Sequence, residues 1–236
     1  MMMASFSEFI KHLLRSMKSL VIRLFIRRKI DHVFLANDFG FKRGSPVDRF
    51  YIGQFFNINR NVLTGVCLEF GDTKYIDKYG CRVSKKYTFN YASNSSMEGE
   101  LLKGDLSRIE TLPRELVDCI VCVNVLNFIY DLPLALSGLK KILKPGGKII
   151  LTVAGAAAHI SRYDMDRWGD YWRITDKAAI KLADEAGFKV LKVETYGNPY
   201  SCSAQLNGFS VEDLIKEKIE QSHPDYQLVV ALLLEK

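Results

Sequence analysis

The stretch that decides the fold is CLEFGDTKYIDKYG, which runs from Cys67 to Gly80. Its first residues continue the apolar run that starts at Val62, so they predict a buried β-strand. Glu69 and Gly71 then form an acid-x-Gly turn, and bulky or charged residues follow it. The second and third glycines of a glycine-rich loop are missing. Such a turn either holds a ligand without those glycines or is the remnant of one that did.

Apolar runs alternate with helical patterns along the rest of the chain. The predicted strands are Val62–Phe70, Cys81–Ser84, Leu116–Val125, Lys148–Ala154, Lys189–Tyr196 and Gln227–Glu235, and the predicted helices are Pro46–Asn57, Leu132–Leu143 and Thr175–Ala186. This alternation predicts an α/β fold with a largely parallel sheet. A sheet of this kind binds its ligands at the carboxyl ends of its strands.

The net charge of +6 belongs to the first thirty residues of the 236-residue chain. These residues hold seven basic side chains and one acidic side chain, whereas the remaining 206 residues hold equal numbers of each. The charged residues of this segment are Glu8, Lys11, Arg15, Lys18, Arg23, Arg27, Arg28 and Lys29. Because the rest of the chain is neutral overall, a basic face for nucleic acid is not indicated.

The apolar residues of this N-terminal segment recur at helical spacing, so the sequence predicts a basic amphipathic helix over 1–30. Such a helix suits the surface of an anionic membrane, and it equally suits packing on its own domain or on a second copy of the chain. It resembles neither a signal peptide nor a transmembrane span. The domain organisation that we predict is an arm at 1–30, a linker and entry helix at 31–61, and an α/β domain at 62–236.

Five cysteines and four histidines give no sign of a disulfide framework or a metal site. Cys119 and Cys122 have a metal-like spacing, but residues three apart in a strand face opposite sides of the sheet. No second pair completes a zinc site. We interpret these cysteines as core residues of a protein from a reducing compartment. This predicts a cytoplasmic protein, either free or held at the inner face of the membrane by residues 1–30.

Several motifs together resemble a known family. They are LEFGD at Leu68–Asp72, KGDL at Lys103–Leu106, VDCIVCVNVLNFIYDL at Val117–Leu132, LKKILKPGGKIILTV at Leu139–Val153 and EAGF at Glu185–Phe188. In this order and spacing they resemble a class I S-adenosylmethionine-dependent methyltransferase with a type 11-like domain. The resemblance covers about residues 46–236. It implies a Rossmann-like, doubly wound, mostly parallel seven-stranded sheet with an antiparallel last strand.

The motifs PVDRFYI at Pro46–Ile52 and RYDMDRWGDYWRIT at Arg162–Thr175 are similar to those of a bacterial subgroup. Members of that subgroup often accompany enzymes of sugar and polysaccharide biosynthesis. The resemblance therefore implies a methyltransferase that acts on a glycan or a sugar-related small molecule.

The resemblance also assigns residues to the cofactor, S-adenosylmethionine. They are Glu69, Gly71, Asp72, Tyr87, Asp105, Leu106 and Asn124. Asp105 matches the position that meets the adenine amino group, and Glu69 could face the methionine end. Each has a plainer interpretation, since Asp105 could cap a turn and Glu69 could pair with a lysine. The second predicted strand lacks the acid that usually holds the ribose hydroxyls, and Tyr87 stands near its place.

Two further observations concern the cofactor loop, which departs from the family pattern, and the end of the central predicted strand. Thr73 and Tyr75 occupy the later glycine positions of the first loop. Asn124 and Asn127 follow the central strand beside the expected place of the methyl group. Buried asparagines at a strand end equally satisfy loop backbone groups.

The segment 162–173 is the densest polar and aromatic stretch of the chain, and it holds both tryptophans. Carboxylates and guanidinium groups bind sugar hydroxyls, and aromatic rings stack on sugar C–H faces. An internally salt-bridged lid would have the same composition. For O-methylation a base must remove the hydroxyl proton. The candidates are His159, Asp164 and Asp166, with Asp170 nearby, and an aspartate of the RYDMD stretch is preferred.

Two other function classes stay open at the sequence level. A methyltransferase fold that has lost catalysis and serves as a binding or scaffold subunit would explain the missing glycines and the missing ribose acid. A nicotinamide dehydrogenase is weakly indicated, because only one of the three glycines of its fingerprint is present. Binding of S-adenosylmethionine separates the leading hypothesis from both.

Overall fold

The computed structural model describes Leu35, residues 37–94 and residues 96–236. The basic segment 1–30 lies outside the described residues, so its amphipathic helix stays a prediction. Across the described ranges, no helix has the length and apolar character needed to cross a membrane.

Within the described residues, eight strands form one sheet. The strands are β1 (Thr64–Phe70), β2 (Arg82–Tyr91), β3 (Ser96–Glu98), β4 (Leu101–Gly104), β5 (Val117–Val123), β6 (Leu143–Ala154), β7 (Lys189–Tyr196) and β8 (Val229–Glu235). The helices are α1 (Val47–Asn59), α2 (Lys74–Tyr79), α3 (Leu132–Ile142), α4 (Arg162–Trp168), α5 (Asp176–Glu185), α6 (Pro199–Leu206) and α7 (Lys216–Ile219). Short 3₁₀ turns lie at Arg60–Val62, Ile109–Thr111, Leu126–Phe128 and Val211–Asp213.

The strand order is β3-β4-β2-β1-β5-β6-β8-β7. Strand β1 pairs in parallel with β2 and β5, and β4 and β6 extend the parallel pairing outwards. Strand β8 runs antiparallel to both β6 and β7. This arrangement confirms the predicted doubly wound, mostly parallel sheet with an antiparallel last strand. The short β3 adds an antiparallel edge strand that was not predicted.

The strand order reverses at β1, because the chain goes from β1 to β2 on one side and later reaches β5 on the other side. A crevice therefore opens above the carboxyl ends of β1 and β5, which is where open α/β sheets bind their ligands.

Each face of the sheet has its own hydrophobic cluster. On one face Ile120 and Cys122 of β5 pack with buried residues of α3, and on the other face Cys119 packs with Tyr51 and Phe55 of α1. Because side chains alternate along a strand, Cys119 and Cys122 belong to different clusters. Helix α1 thus contributes to the core of the sheet, although it precedes the predicted domain boundary at residue 62.

Two elements differ from the sequence-based expectation. Strand β2 continues to Tyr91, because its second half pairs with β4 and Phe89 has partners on both sides, Phe70 of β1 and Leu102 of β4. Helix α4 forms inside the polar and aromatic stretch. The Ser161 side chain caps its first turn by accepting the Asp164 N–H, and Gly169 ends it at a φ of 86°.

Candidate active site

A cavity of about 1360 Å³ opens at the carboxyl edge of the sheet. Residues at the ends of the parallel strands form its floor, namely Gly71, Asn90, Asp105, Asn124 and Ala154. The loop at 37–41 and the first turn of α1 contribute to its wall, as does α4 with the loop that precedes it. The cavity therefore occupies the crevice at the reversal of strand order.

Glu69 fastens the turn after β1. Its side chain is 3% exposed, and its two carboxylate oxygens accept the Tyr75 and Ile76 N–H groups at 3.0 and 2.9 Å. These N–H groups lie in the first turn of α2, where a helix leaves its donors unpaired. Burial raises the pKa of Glu69 to about 7, against the opposing effect of the two donors. The carboxylate is thus engaged by the protein backbone, and a contact with the cofactor stays a prediction.

The bulky residues at the lost glycine positions do not obstruct the cavity. Thr73 and Tyr75 are absent from the cavity lining. The Thr73 hydroxyl donates to the Asp77 carboxylate at 2.8 Å, and the Tyr75 ring stacks on Phe56 of α1 with 4.7 Å between centroids. Gly71 does line the cavity, with a φ of 81° and open space where a Cβ would lie. The loop therefore keeps the one glycine that faces the cavity.

Asp72 was also predicted to bind the cofactor, and the structure places it outside the cavity lining. Its carboxylate pairs with Lys74 at 2.6 Å and accepts the Lys74 N–H at 3.1 Å. These contacts fix the start of α2.

The end of β2 presents Asn90 and Tyr91 to the cavity, and sequence reasoning missed both. Tyr87, which was predicted for this position, is 7% exposed, packs in the core and does not line the cavity. Asn90 therefore stands where a ribose-binding side chain is expected. The alternation of aromatic and polar residues in YTFNY, from Tyr87 to Tyr91, was the signal that could have located this strand end.

Asp105 and Leu106 line the cavity after β4, together with Ser107. The Asp105 carboxylate accepts the Ser107 N–H at 2.8 Å, which closes a tight turn. Gly138 of α3 lies behind this turn, and a Cβ there would come within 2.3 Å of the Leu106 carbonyl oxygen. A glycine at that position lets the Asp105–Leu106 turn approach the helix closely.

Asn124 follows β5 in a left-handed conformation with a φ of 52°. Its side chain bridges two elements, because Nδ2 donates to the Asp48 carboxylate at 3.3 Å and Oδ1 accepts from the Thr152 hydroxyl at 3.4 Å. Asp48 belongs to the first turn of α1, and sequence reasoning did not single it out. Burial acts to lower the pKa of the neighbouring Arg49. The attraction of the Asp48 carboxylate and the contact with Tyr75 are stronger than this effect, so the pKa of Arg49 is raised.

Asp170 and Arg173 hold the loop that follows β6. The Arg173 guanidinium donates to both Asp170 oxygens at 2.7 Å and to the carbonyl oxygens of Ala158 and His159. Burial acts to raise the pKa of Asp170, but hydrogen bonds from Arg173 and the Ser161 N–H lower it. The Asp170 side chain lines the cavity but is 1% exposed, and Arg173 engages both of its oxygens.

The three predicted catalytic residues have different surroundings. His159 and Asp164 line the cavity, whereas Asp166 is exposed on α4 and does not. The His159 ring stacks on Phe39 with centroids 4.1 Å apart. Its Nδ1 lies 2.8 Å from the Ile160 carbonyl oxygen. Since a carbonyl only accepts, this contact assigns the proton to Nδ1 and leaves Nε2 unprotonated in the neutral ring.

Aromatic side chains surround the mouth of the cavity. Tyr91 and Trp168 are 65% and 51% exposed, and their rings meet edge to face with 6.5 Å between centroids. Tyr130 and Tyr171 form a second such pair at 5.5 Å. Large exposed rings grouped at a cavity mouth indicate a surface that binds a ligand.

The residues at the strand ends fit an adenosine-containing cofactor. Open space lies above Gly71, Asn90 offers an amide to hydroxyl groups, and Asp105 offers a carboxylate to an amino group. Phe70, Phe89 and other apolar side chains line the same region. No group of three or more potential metal ligands occurs in the part of the chain that the structure describes.

Comparison with known proteins agrees with this geometry. A family model described as a methyltransferase domain matches residues 66–151. No curated protein matches the sequence.

Two solved structures have a similar fold. A SAM-dependent methyltransferase from Archaeoglobus fulgidus has a TM-score of 0.50 at 13% identity, with 80% of this chain and 94% of that chain covered. A SAM-dependent methyltransferase from Thermotoga maritima has a TM-score of 0.50 at 17% identity, with 80% of this chain and 91% of that chain covered. At these identities the likeness concerns the fold, while the family match assigns the domain. Residues 66–151 thus match a methyltransferase domain, in a chain whose fold is similar to that of S-adenosylmethionine-dependent methyltransferases.

Proposed function

We propose that this enzyme methylates a hydroxyl group of a glycan or of a sugar-related small molecule. The observation that carries the proposal is the exposed aromatic mouth of the cavity, with Tyr91 and Trp168 in edge-to-face contact. Aromatic rings bind the C–H faces of sugars, and polar side chains between them bind hydroxyl groups.

Polar groups of the α4 region can supply the hydrogen bonds to the hydroxyl groups of a sugar. Asp164, Arg162 and Arg167 line the cavity alongside the aromatic residues. The Arg167 guanidinium lies 3.5 Å above the Tyr163 ring, which holds both side chains in place at the rim. His159 and Asp164 offer hydrogen-bond acceptors to hydroxyl groups of the substrate.

The residues that would hold S-adenosylmethionine are those at the strand ends. They are Gly71, Asn90, Asp105, Leu106 and Asn124. The bound cofactor supplies a methyl group on a positively charged sulfur. The protein then has to orient a hydroxyl group toward that methyl group, exclude water from the crevice and accept the hydroxyl proton.

The test is transfer of a tritiated methyl group from S-adenosylmethionine to a panel of acceptors. The panel contains neutral sugars, sugar nucleotides and oligosaccharides, with simple amines, carboxylic acids and catechols as competing classes. Label in the sugar fractions supports the proposal. Label in amines, carboxylates or catechols alone would contradict it.

A pair of variants connects that result with the aromatic mouth. Trp168→Ala is expected to raise KM for the sugar acceptor about tenfold, because one stacking surface is lost. Ile58→Ala is the matched control, since Ile58 is 61% exposed and does not line the cavity. Equal KM values for the two variants would show that the mouth does not bind the acceptor.

We also propose that residues 1–30 bring the enzyme to an anionic membrane surface. The support is the seven basic side chains of this segment and its apolar helical spacing. Co-sedimentation of the full chain with anionic vesicles, and its loss when residues 1–28 are deleted, would support this. Equal sedimentation of both forms would contradict it, and a change of oligomeric state on deletion would instead indicate packing between copies.

A further inference from the structure

The carboxylate of Asp48 is poorly satisfied by the protein. The Asp48 side chain is 15% exposed and lines the cavity. Its Oδ2 has two long contacts, at 3.3 Å to Asn124 Nδ2 and at 3.9 Å to Arg49 Nε. Its Oδ1 is buried and has no hydrogen-bond partner. A mostly buried carboxylate normally accepts several short hydrogen bonds, because burial without them is costly.

Unpartnered oxygens of this kind are confined to the cavity. In the described ranges, the buried side-chain polar atoms without a partner are Asp38 Oδ2, Asp48 Oδ1 and Asn127 Oδ1. All three residues line the cavity, and all three atoms are acceptors. The missing partners are therefore donors, and a ligand that presents hydroxyl or ammonium groups at this wall would supply them.

Asp48 differs from the other two by its position in the crevice. Its carboxylate contacts Asn124, which directly follows β5, and β5 is the strand beside β1 at the reversal of strand order. The residue lies in the first turn of α1, where the helix dipole stabilises a negative charge. The Asp48 carboxylate thus lies beside the end of β5, at the reversal of strand order.

We propose that Asp48 is the general base of methyl transfer, an inference that rests on the proposed function. Asp48 takes up the hydroxyl proton of the acceptor while the hydroxyl oxygen bonds the methyl carbon. The electron pair of the broken carbon–sulfur bond stays on sulfur, so atoms and charges balance. Asp164 and His159 then bind the acceptor from the α4 side.

The first test uses cofactor analogues and needs no acceptor. S-adenosylhomocysteine lacks the methyl group of the cofactor. In sinefungin a carbon atom replaces the sulfur, and a primary ammonium group on that carbon takes the place of the methyl group. Calorimetry measures the affinity of the full chain for both. A carboxylate next to the methyl position forms a charge-assisted hydrogen bond with that ammonium group, so sinefungin is expected to bind about tenfold more tightly.

Asp48→Asn is expected to reduce this preference to about twofold or less, with the affinity for S-adenosylhomocysteine unchanged within about twofold. Asp225→Asn is the matched control, because it removes an exposed carboxylate outside the cavity lining. Asp164→Asn and His159→Asn test the other candidates. If one of them abolishes the preference and Asp48→Asn does not, the inference is overturned.

The wild-type measurement alone also tests the inference, whatever the variants do. Equal affinity for both analogues, or no binding of either by the folded protein, would overturn it. With an acceptor from the sugar panel, Asp48→Asn should lower kcat at least a hundredfold with KM changed less than threefold. A lost sinefungin preference without sugar methylation would support the position of Asp48 and count against the proposed acceptor class only.

Discussion

Glu69 offers a sharp test of how burial and hydrogen bonding compete at the cofactor loop. The side chain is 3% exposed, and its pKa is raised to about 7 because burial outweighs the two N–H donors. The raised pKa means that the folded protein binds this proton more tightly than the unfolded chain. Stability from this group is therefore present in full below the unfolded pKa near 4.5 and is lost as pH rises through 7.

The expected magnitude follows from the difference between the two pKa values. Between pH 5 and pH 8 the contribution of Glu69 to the free energy of unfolding should fall by about 2.5 kcal/mol. Glu69→Gln removes the titration and keeps the shape. The measured quantity is the free energy of unfolding of wild type minus that of Glu69→Gln, from urea denaturation at intervals between pH 5 and pH 8.

This difference should decrease with rising pH. Glu217→Gln is the control, because Glu217 is exposed on α7. A difference that stays flat or grows with pH would show that the two backbone donors win and keep the carboxylate ionised throughout. The argument from burial would then be refuted.

Three further predictions concern packing, the loop after β6 and the end of β2. Gly138→Ala should lower the free energy of unfolding by about 1 to 3 kcal/mol and weaken S-adenosylhomocysteine binding, because the added Cβ would meet the Leu106 carbonyl oxygen at 2.3 Å. Urea denaturation and calorimetry measure the two effects, and Ser137→Ala is the control. Arg173→Met should destabilise the protein by about 3 to 5 kcal/mol in urea denaturation, because it leaves the buried Asp170 carboxylate unpaired. Asn90→Asp should raise the affinity for S-adenosylhomocysteine about fivefold by calorimetry, because a carboxylate accepts from two ribose hydroxyls, and Asn90→Ala should lower it by a similar factor. Loss of affinity in Asn90→Asp would show that the end of β2 does not meet the ribose.

The central strands β5 and β8 were predictable because they are buried on both faces. The continuous apolar run of β5 and the glycines on either side of β7, Gly187 and Gly197, carry their own signal in the sequence. Strand β2 carried only a weak signal, since its charged first half is stabilised by pairing with β1 rather than by local preference.

The site was predictable where a motif marks a strand end, and less so where the chain folds back from a distance. Gly71, Asp105, Leu106 and Asn124 line the cavity, and their contact with the cofactor stays a prediction. Asp48 reaches the same cavity from α1, which precedes the sheet in sequence, and only the packed structure shows it beside Asn124. Asn90 was missed because the end of β2 was placed too early.

Helix α4 borders the mouth of the cavity without burying any of its residues. Substitutions on it remove no core contact, so most should change the free energy of unfolding by less than about 0.5 kcal/mol. If α4 binds the acceptor as proposed, the acceptor preference can therefore change through substitutions in this one short helix, while the sheet and the cofactor turns remain under separate constraint. Among relatives that share the sheet, divergence in acceptor would be concentrated at the α4 position.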